Sequence, residues 1–317
     1  MILNLVVLLV LLAAVVFFFW LARRAWRSKR LAVRIPGVFF SGLLGLVALL
    51  LAVIGGIGIF NIYLAAAPAA PQLSVEYTPE RVARGEHLTN SFCVECHSET
   101  GEMPMTGGVD FAKDIPIPLG SMVSANLTPA GVLKNYTDGE LFRVFRMGIN
   151  NQGRRLAIMG SVNVRYMSDE DLYSVIAFLR SQSPVEKVNP DPADRLNYLA
   201  MVMVGAGMLP SNPPVEGSIV APEKSVSADY GAYVLSYQDC RVCHGEDYRG
   251  GQEGGLTPVG PSLEAATNWT PEQFVSTLRT GVTPSGHQLS SVMPWRAAGR
   301  LDDVELKAMH SYLQSLP

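Results

Sequence analysis

Cys93-Val94-Glu95-Cys96-His97 and Cys240-Arg241-Val242-Cys243-His244 hold every cysteine of the chain, and the reading of these two stretches decides the fold. Two thiols at this spacing reach the two vinyl groups of one porphyrin, and the imidazole directly after the second thiol turns onto the iron. A structural zinc site, a redox-active cysteine pair and a pair of disulfides would use the same cysteines. None of them accounts for a histidine in the same place twice. The expectation is two covalently attached c-type haems on Cys93, Cys96, Cys240 and Cys243, with His97 and His244 as iron ligands.

Of the 317 residues, 48% are hydrophobic, and the apolar excess lies at the N-terminus. Residues 2–20 carry no charge and only Asn4 as a strongly polar side chain; as a helix they would run about 28 Å, close to the hydrocarbon thickness of a bilayer. A second uncharged stretch, 35–67, is also long enough to span. Between them lie Arg23, Arg24, Arg27, Lys29, Arg30 and Arg34 with no acid. This predicts a transmembrane hairpin over 1–67, with helices at about 2–20 and 37–66 and a basic loop at 21–34. The loop faces the cytoplasm by the positive-inside rule, so both ends of the hairpin face outward. The outer face of a bacterial cytoplasmic membrane is also where haem is attached to such motifs. The competing reading is a cleaved signal peptide over 38–70, whose apolar core would far exceed the usual length.

After residue 67 the chain holds 19 basic and 28 acidic side chains, a formal charge of −9. That balance repels nucleic acid and favours basic or neutral partners.

The outer part repeats itself. Ala83-Arg84-Gly85-Glu86-His87-Leu88 precedes the first motif much as Asp229-Tyr230-Gly231-Ala232-Tyr233-Val234 precedes the second. Tyr136-Thr137-Asp138-Gly139-Glu140-Leu141-Phe142 matches Trp269-Thr270-Pro271-Glu272-Gln273-Phe274-Val275, each an aromatic residue, a Thr N-cap and a helix with an acidic first turn. Both helices close on glycine, Gly148 and Gly281. The last helices, 168–181 and 302–315, carry apolar residues at helical spacing: Leu172, Val175, Ile176 and Leu179 in one, Leu306, Met309 and Leu313 in the other.

Each unit resembles the class I cytochrome c fold, over 78–183 and 226–317, with 184–225 as a linker. The fold expected is therefore mainly α: the N-terminal transmembrane hairpin followed by two class I cytochrome c-like domains. The first unit looks like the cytochrome subunits of membrane-bound alcohol and gluconate dehydrogenases, through its Asn-Leu-Thr-Pro loop at 126–129 and its Ser-Asp-Glu-Asp-Leu helix start at 168–172. Two haem motifs stand here where those subunits commonly have three, and the N-terminal hairpin is not their usual anchor. The resemblance implies a methionine sixth ligand in the loop before the last helix. Met293, in Met293-Pro294-Trp295, occupies that place. Met159 lies as far before Leu172 as Met293 does before Leu306, whereas Met167 aligns with Leu301 and reads as core. Gly260-Pro261-Ser262-Leu263 is similar to the segment whose proline carbonyl accepts the proximal histidine N–H, implying that Pro261 orients His244; an ordinary turn is the other reading. No equally clear counterpart for His97 stands out.

His87, His287 and His310 read as residues without chemistry, His287 being the one substitute ligand worth weighing. Tyr136, Trp269 and Trp295 line haem edges or pack in the core. Arg143, Arg146, Arg165 and Arg279 reach propionates or cover solvated faces. In the linker, 196–209 is apolar but too short to span; burial against its own domain is favoured over a place on the membrane surface or against a partner subunit.

No acid, base or nucleophile cluster remains, so the chain is expected to carry electrons, not to transform a substrate. The expected function is a membrane-anchored dihaem electron-transfer subunit of a respiratory or photosynthetic complex. It would take electrons from a quinol-oxidising or dehydrogenase subunit and pass them to a soluble carrier or terminal oxidase. The alternatives are a cytochrome subunit of a periplasmic alcohol or sugar dehydrogenase and, disfavoured by the paired methionines, a dihaem peroxidase.

Overall fold

The computed structural model describes residues 1–190, 194–209, 214–251 and 258–317. Helices α1 (Ile2–Trp26) and α2 (Leu31–Ile59) form an antiparallel pair, α2 continuing into a wider π-helical turn at Phe60–Leu64. Both are long and apolar enough to cross a membrane. They run past their expected ends: Arg23 and Arg24 lie in the last turn of α1 and Arg34 in the first turns of α2, so the connection shrinks to 27–30. Cations at the C-terminal end of α1 suit its dipole, and long basic side chains reach the interface from a helix end. Asn4 is buried, its amide donating to the Leu196 carbonyl (3.0 Å). The start of α1 and the end of α2 therefore meet the rest of the chain, and the basic turn lies at the far end.

The polar part is helical with long loops. Helix α3 (Pro79–Leu88), N-capped by Thr78, passes through a π-helical turn at Thr89–Cys93 into α4 (Val94–His97); α5 (Asp138–Met147) and α6 (Asp169–Ser181) follow. Strands β1 (Gly120–Met122) and β2 (Asp194–Leu196) pair antiparallel, and α7 (Tyr198–Gly205) follows β2. The remainder comprises α8 (Ala228–Tyr237), α9 (Cys240–His244), α10 (Glu264–Thr267), α11 (Pro271–Thr280), α12 (Trp295–Ala298) and α13 (Asp303–Ser315).

The expected caps form. Thr137 with Glu140 and Thr270 with Gln273 close reciprocal capping boxes, and Gly148 (φ 63°) and Gly281 (φ 74°) end those helices in the left-handed conformation. Helix α3 packs on α6 and α8 on α13, through Gly85 against the Ser174 backbone and Gly231 against the Ala308 backbone. A Cβ at either glycine would meet a carbonyl oxygen, so only glycine permits the approach. One continuous core then runs through both halves, from Leu88, Val94, Leu172 and Ile176 to Val234, Leu306 and Met309. Met167 and Leu301, aligned in the sequence, are both fully buried in it.

The linker segment 196–209 is buried against its own domain, through Leu119 and Met122, and also against the end of the N-terminal hairpin. Helix α7 lies against α2, where Gly58 and Gly205 let the backbones approach, Gly55 leaves room for the Tyr198 ring and the Tyr198 hydroxyl donates to the Leu51 carbonyl (3.1 Å). Met201 and Met203 fill a second apolar cluster with Ile59, Ile62, Leu119, Met122 and Leu196. Small residues on both helices bring the backbones close, which maximises van der Waals contact. The linker positions 191–193 and 210–213 lie outside the described residues.

Candidate haem sites

His97 ends α4 with its Nδ1 2.9 Å from the Ala125 carbonyl. That carbonyl is held by the neighbouring loop: Thr128 N donates to Asn126 Oδ1 (2.9 Å), and Asn126 Nδ2 and Thr128 Oγ1 both donate to the Val185 carbonyl. His244 ends α9 with its Nδ1 2.7 Å from the Pro261 carbonyl. Here the Gly260 amide donates to the Cys243 carbonyl (2.8 Å), and a Cβ on Gly260 would lie 2.8 Å from His244 Nδ1. The two histidines are thus held alike, Nδ1–H to a carbonyl, which leaves each Nε2 for a metal. Burial pushes His97 below its ordinary value and favours the neutral ring a metal needs. All four cysteines are free thiols, and burial drives Cys93, Cys96 and Cys240 up to about 12. Free thiol pairs and imidazoles with a fixed tautomer fit a covalently attached haem, and Ala125 is the partner for His97 that the sequence did not single out. Its signal was the Asn126–Pro129 loop directly after it.

Met159 and Met293 are half-buried against the core that also contains Cys93 and Cys240. The loops that carry them are built alike. Leu156 N donates to Gly148 O and Leu289 N to Gly281 O, each at 2.7 Å, and single antiparallel bridges join Ile149 to Arg155 and Val282 to Gln288. Arg146 then binds the Arg165 and Met167 carbonyls and Asp169, while Arg279 binds the Gly299 and Leu301 carbonyls and Asp303. The second loop has one more residue between Leu289 and Met293 than the first has between Leu156 and Met159, and beyond that point the spacing of the two methionines to the last helices is equal. Arg146 and Arg279 are therefore loop braces. Arg143 serves likewise, donating to the Pro68 and Asn150 carbonyls, and Arg165 donates to the Val162 and Gly160 carbonyls.

The halves meet through polar groups that sequence reading passed over. Arg84 binds Asp171 (2.8 and 3.1 Å) and Glu305 (2.7 Å), and His87 Nε2 lies 2.5 Å from Glu305. The Tyr233 hydroxyl, from the other half, lies 2.5 Å from Asp171. Glu305 is fully buried, and burial alone would raise it; hydrogen bonds and charge from His87 and Arg84 instead hold it at about 2. His87, Asp302 and Glu305 cluster closely, but Arg84 and Lys224 already occupy the carboxylates, so the group is an ion-pair network and not a metal site. Burial lifts Asp239, at φ 55° before Cys240, to about 6 although Asn163 N donates to it (2.9 Å). Its charge also raises Cys96, Cys240 and Cys243, so one carboxylate adjoins both motifs. Such an arrangement came from no local pattern, because its partners are up to 221 residues apart.

A helical domain of this kind, with Cys-x-x-Cys-His at the end of its first helix and the imidazole tied to a carbonyl, defines a c-type cytochrome. The chain carries a cytochrome c domain: residues 228–313 match the family described as cytochrome c oxidase, cbb3-type, subunit III. It is 32% identical over 115 residues to the gluconate 2-dehydrogenase cytochrome c subunit of Pantoea cypripedii, covering 35% of this chain and 25% of that protein. It is 34% identical over 103 residues to the fructose dehydrogenase cytochrome subunit of Gluconobacter japonicus, covering 28% and 21%. A subunit of nicotinate dehydrogenase from Pseudomonas putida is 25% identical over 278 residues, covering 79% of this chain and 22% of that protein. The chain spans between a fifth and a quarter of the length of the curated relatives it matches.

Proposed function

We propose that this chain is a membrane-anchored dihaem c-type cytochrome, an electron-transfer subunit that takes electrons from a dehydrogenase partner and delivers them to a soluble carrier or terminal oxidase. Cys93, Cys96 and His97 hold one haem, with Met159 as sixth ligand; Cys240, Cys243 and His244 hold the other, with Met293. When bound, each haem supplies a one-electron couple whose potential a methionine ligand raises. The chain's own residues set that couple: Ala125 and Pro261 orient the imidazoles, and Arg146 and Arg279 brace the methionine loops. The single observation that carries the reading is the matched pair of histidine-to-carbonyl bonds behind two Cys-x-x-Cys-His motifs. It supports two equivalent domains, 78–183 and 226–317; the basic turn at the far end of the hairpin supports their place on the outer face of the membrane.

The cytochrome subunits among the relatives support a dehydrogenase as donor; the oxidase-subunit family of residues 228–313 favours a second reading, a subunit of a terminal oxidase complex. A pyridine haemochrome assay on the purified 34.3 kDa chain should count two haems, and one after Cys93→Ala with Cys96→Ala. A single haem in the unaltered protein would refute the dihaem assignment. Subunits retained through purification in mild detergent should include a dehydrogenase; a copper or haem oxidase in its place would select the second reading.

A further inference from the structure

The two methionine loops share one construction but have opposite surroundings. In the first, Ile149 is 1% exposed, the Arg155 amide donates to Ile62 at the end of the membrane hairpin (3.1 Å), and Ala157 and Ile158 pack on the cluster of Ile59, Ile62, Leu196 and Met201. Asp194 in β2 ties down the same loop, accepting from Ala157 N (2.9 Å), while its carbonyl accepts from Arg154 (2.9 Å). Among the described residues, nothing covers the equivalent face of the second loop. Val282, opposite Ile149, is 37% exposed, and Val292, next to Met293, is 64% exposed. Between them 284–288, 290 and 291 are exposed as well. A face that the chain itself covers with apolar helix ends in one unit is left open in the other.

Among the described residues, the open face carries one cation free of a carboxylate, Arg296, and residues 282–301 hold no acidic side chain, although the outer part is acidic as a whole. Residues 273–301 hold Arg279, Arg296, Arg300 and His287 and no carboxylate. Arg279 and Arg300 are engaged by Asp303 and Glu102, whereas Arg296 lies over the Trp295 ring, 4.4 Å from its centroid, and His287 is exposed. Local charge, and not the total, steers an encounter at a given face.

We propose that the loop 282–292 with Arg296 is the docking face for a soluble one-electron carrier protein whose contact surface is apolar at its centre and acidic at its rim. This rests on the placement of a haem at His244 and Met293. At the docked face one electron leaves the reduced chain and reduces one oxidised carrier. The first unit's corresponding face, closed by the hairpin and α7, takes no such partner.

The test uses the full-length holoprotein in detergent, with an acidic and a basic soluble monohaem cytochrome c as probes. Binding is read by surface plasmon resonance, and oxidation of the reduced chain by stopped flow. The acidic probe should bind more tightly and react faster than the basic one, with both advantages falling as salt rises. Val292→Asp and Arg296→Glu, on exposed positions, should each weaken binding and slow the acidic probe by about tenfold, while a small neutral quinone oxidant reacts within about twofold of its original rate. The proposal is overturned if the basic probe binds better, or if both variants bind the acidic probe as the original does. A chain that carries no haem on Cys240 and Cys243, seen by haem-peptide mass, would refute the functional reading itself and the docking face with it.

Discussion

Replacing Arg84 by methionine removes the central cation between Asp171 and Glu305 and keeps most of its apolar stem. Glu305 is fully buried and Asp171 nearly so; Arg84 gives the first one hydrogen bond of 2.7 Å and the second two, of 2.8 and 3.1 Å. Breaking a buried pair from one side costs about 3–5 kcal/mol. His87 and Tyr230 remain on Glu305 and Tyr233 on Asp171, so the lower end, about 3 kcal/mol, is expected. For an extramembrane part of this size that corresponds to a fall in Tm of about 6–12 °C, read by differential scanning fluorimetry of the holoprotein in detergent. The same network sets an acid limit. Glu305 is held at about 2 against an ordinary 4.5, so the unfolded chain takes up the proton first as pH falls. Its contribution, about 3 kcal/mol, is complete above pH 4.5 and is lost between 4.5 and about 2. Glu305→Gln should therefore lose stability at neutral pH and show a shallower decline over that acid window. An Arg84→Met cost below about 1 kcal/mol, as for an exposed pair, or an unchanged acid profile in Glu305→Gln, would refute the reasoning.

Met159→Ala and Met293→Ala should each abolish the methionine-to-iron absorption band of one haem and leave the other; an unchanged spectrum in either variant removes that methionine from the ligand set. Gly260→Ala brings a Cβ to 2.8 Å from His244 Nδ1, so a potentiometric titration should show one couple shifted and the other unmoved; two unshifted couples would mean that the Pro261 bond does not tune its iron. Gly58→Ala drives a Cβ into the Met201 carbonyl, which should undock α7 and speed limited proteolysis around 206–225 by at least about fivefold at unchanged haem content; equal cleavage rates would show that α7 tolerates the added methyl.

Features that depend on a few neighbouring residues were readable in the sequence. The attachment motifs need only five positions. The caps at Thr137, Thr270, Gly148 and Gly281 need one turn, and the hairpin needs only a run of apolar side chains and a basic break. Aligning the repeats nominates Met159 and Met293 as sixth ligands, because equal spacing to a packed helix survives a one-residue loop insertion ahead of the methionine. Contacts whose partners lie far along the chain are not legible in this way. Ala125 has no polar side chain to mark its carbonyl as the His97 partner, His87 gains its ion pair from a residue 218 positions away, and the forks of Arg146 and Arg279 meet backbone carbonyls of a separate loop. The placement of α7 on α2 depends on Gly205 facing Gly58 and on a Tyr198-to-Leu51 bond over a separation of 147 positions, which no local periodicity encodes.

The sequence by itself therefore determined the two attachment motifs, the repeated helical elements and an apolar hairpin long enough to cross a membrane, since covalent spacing, helical period and run length are local properties. Only the tertiary structure decided how the two halves are joined, which methionine loop the membrane hairpin covers and which it leaves open. Those outcomes rest on burial and on pairs of groups brought together from distant segments, and identical local patterns acquire different surroundings once the chain is folded.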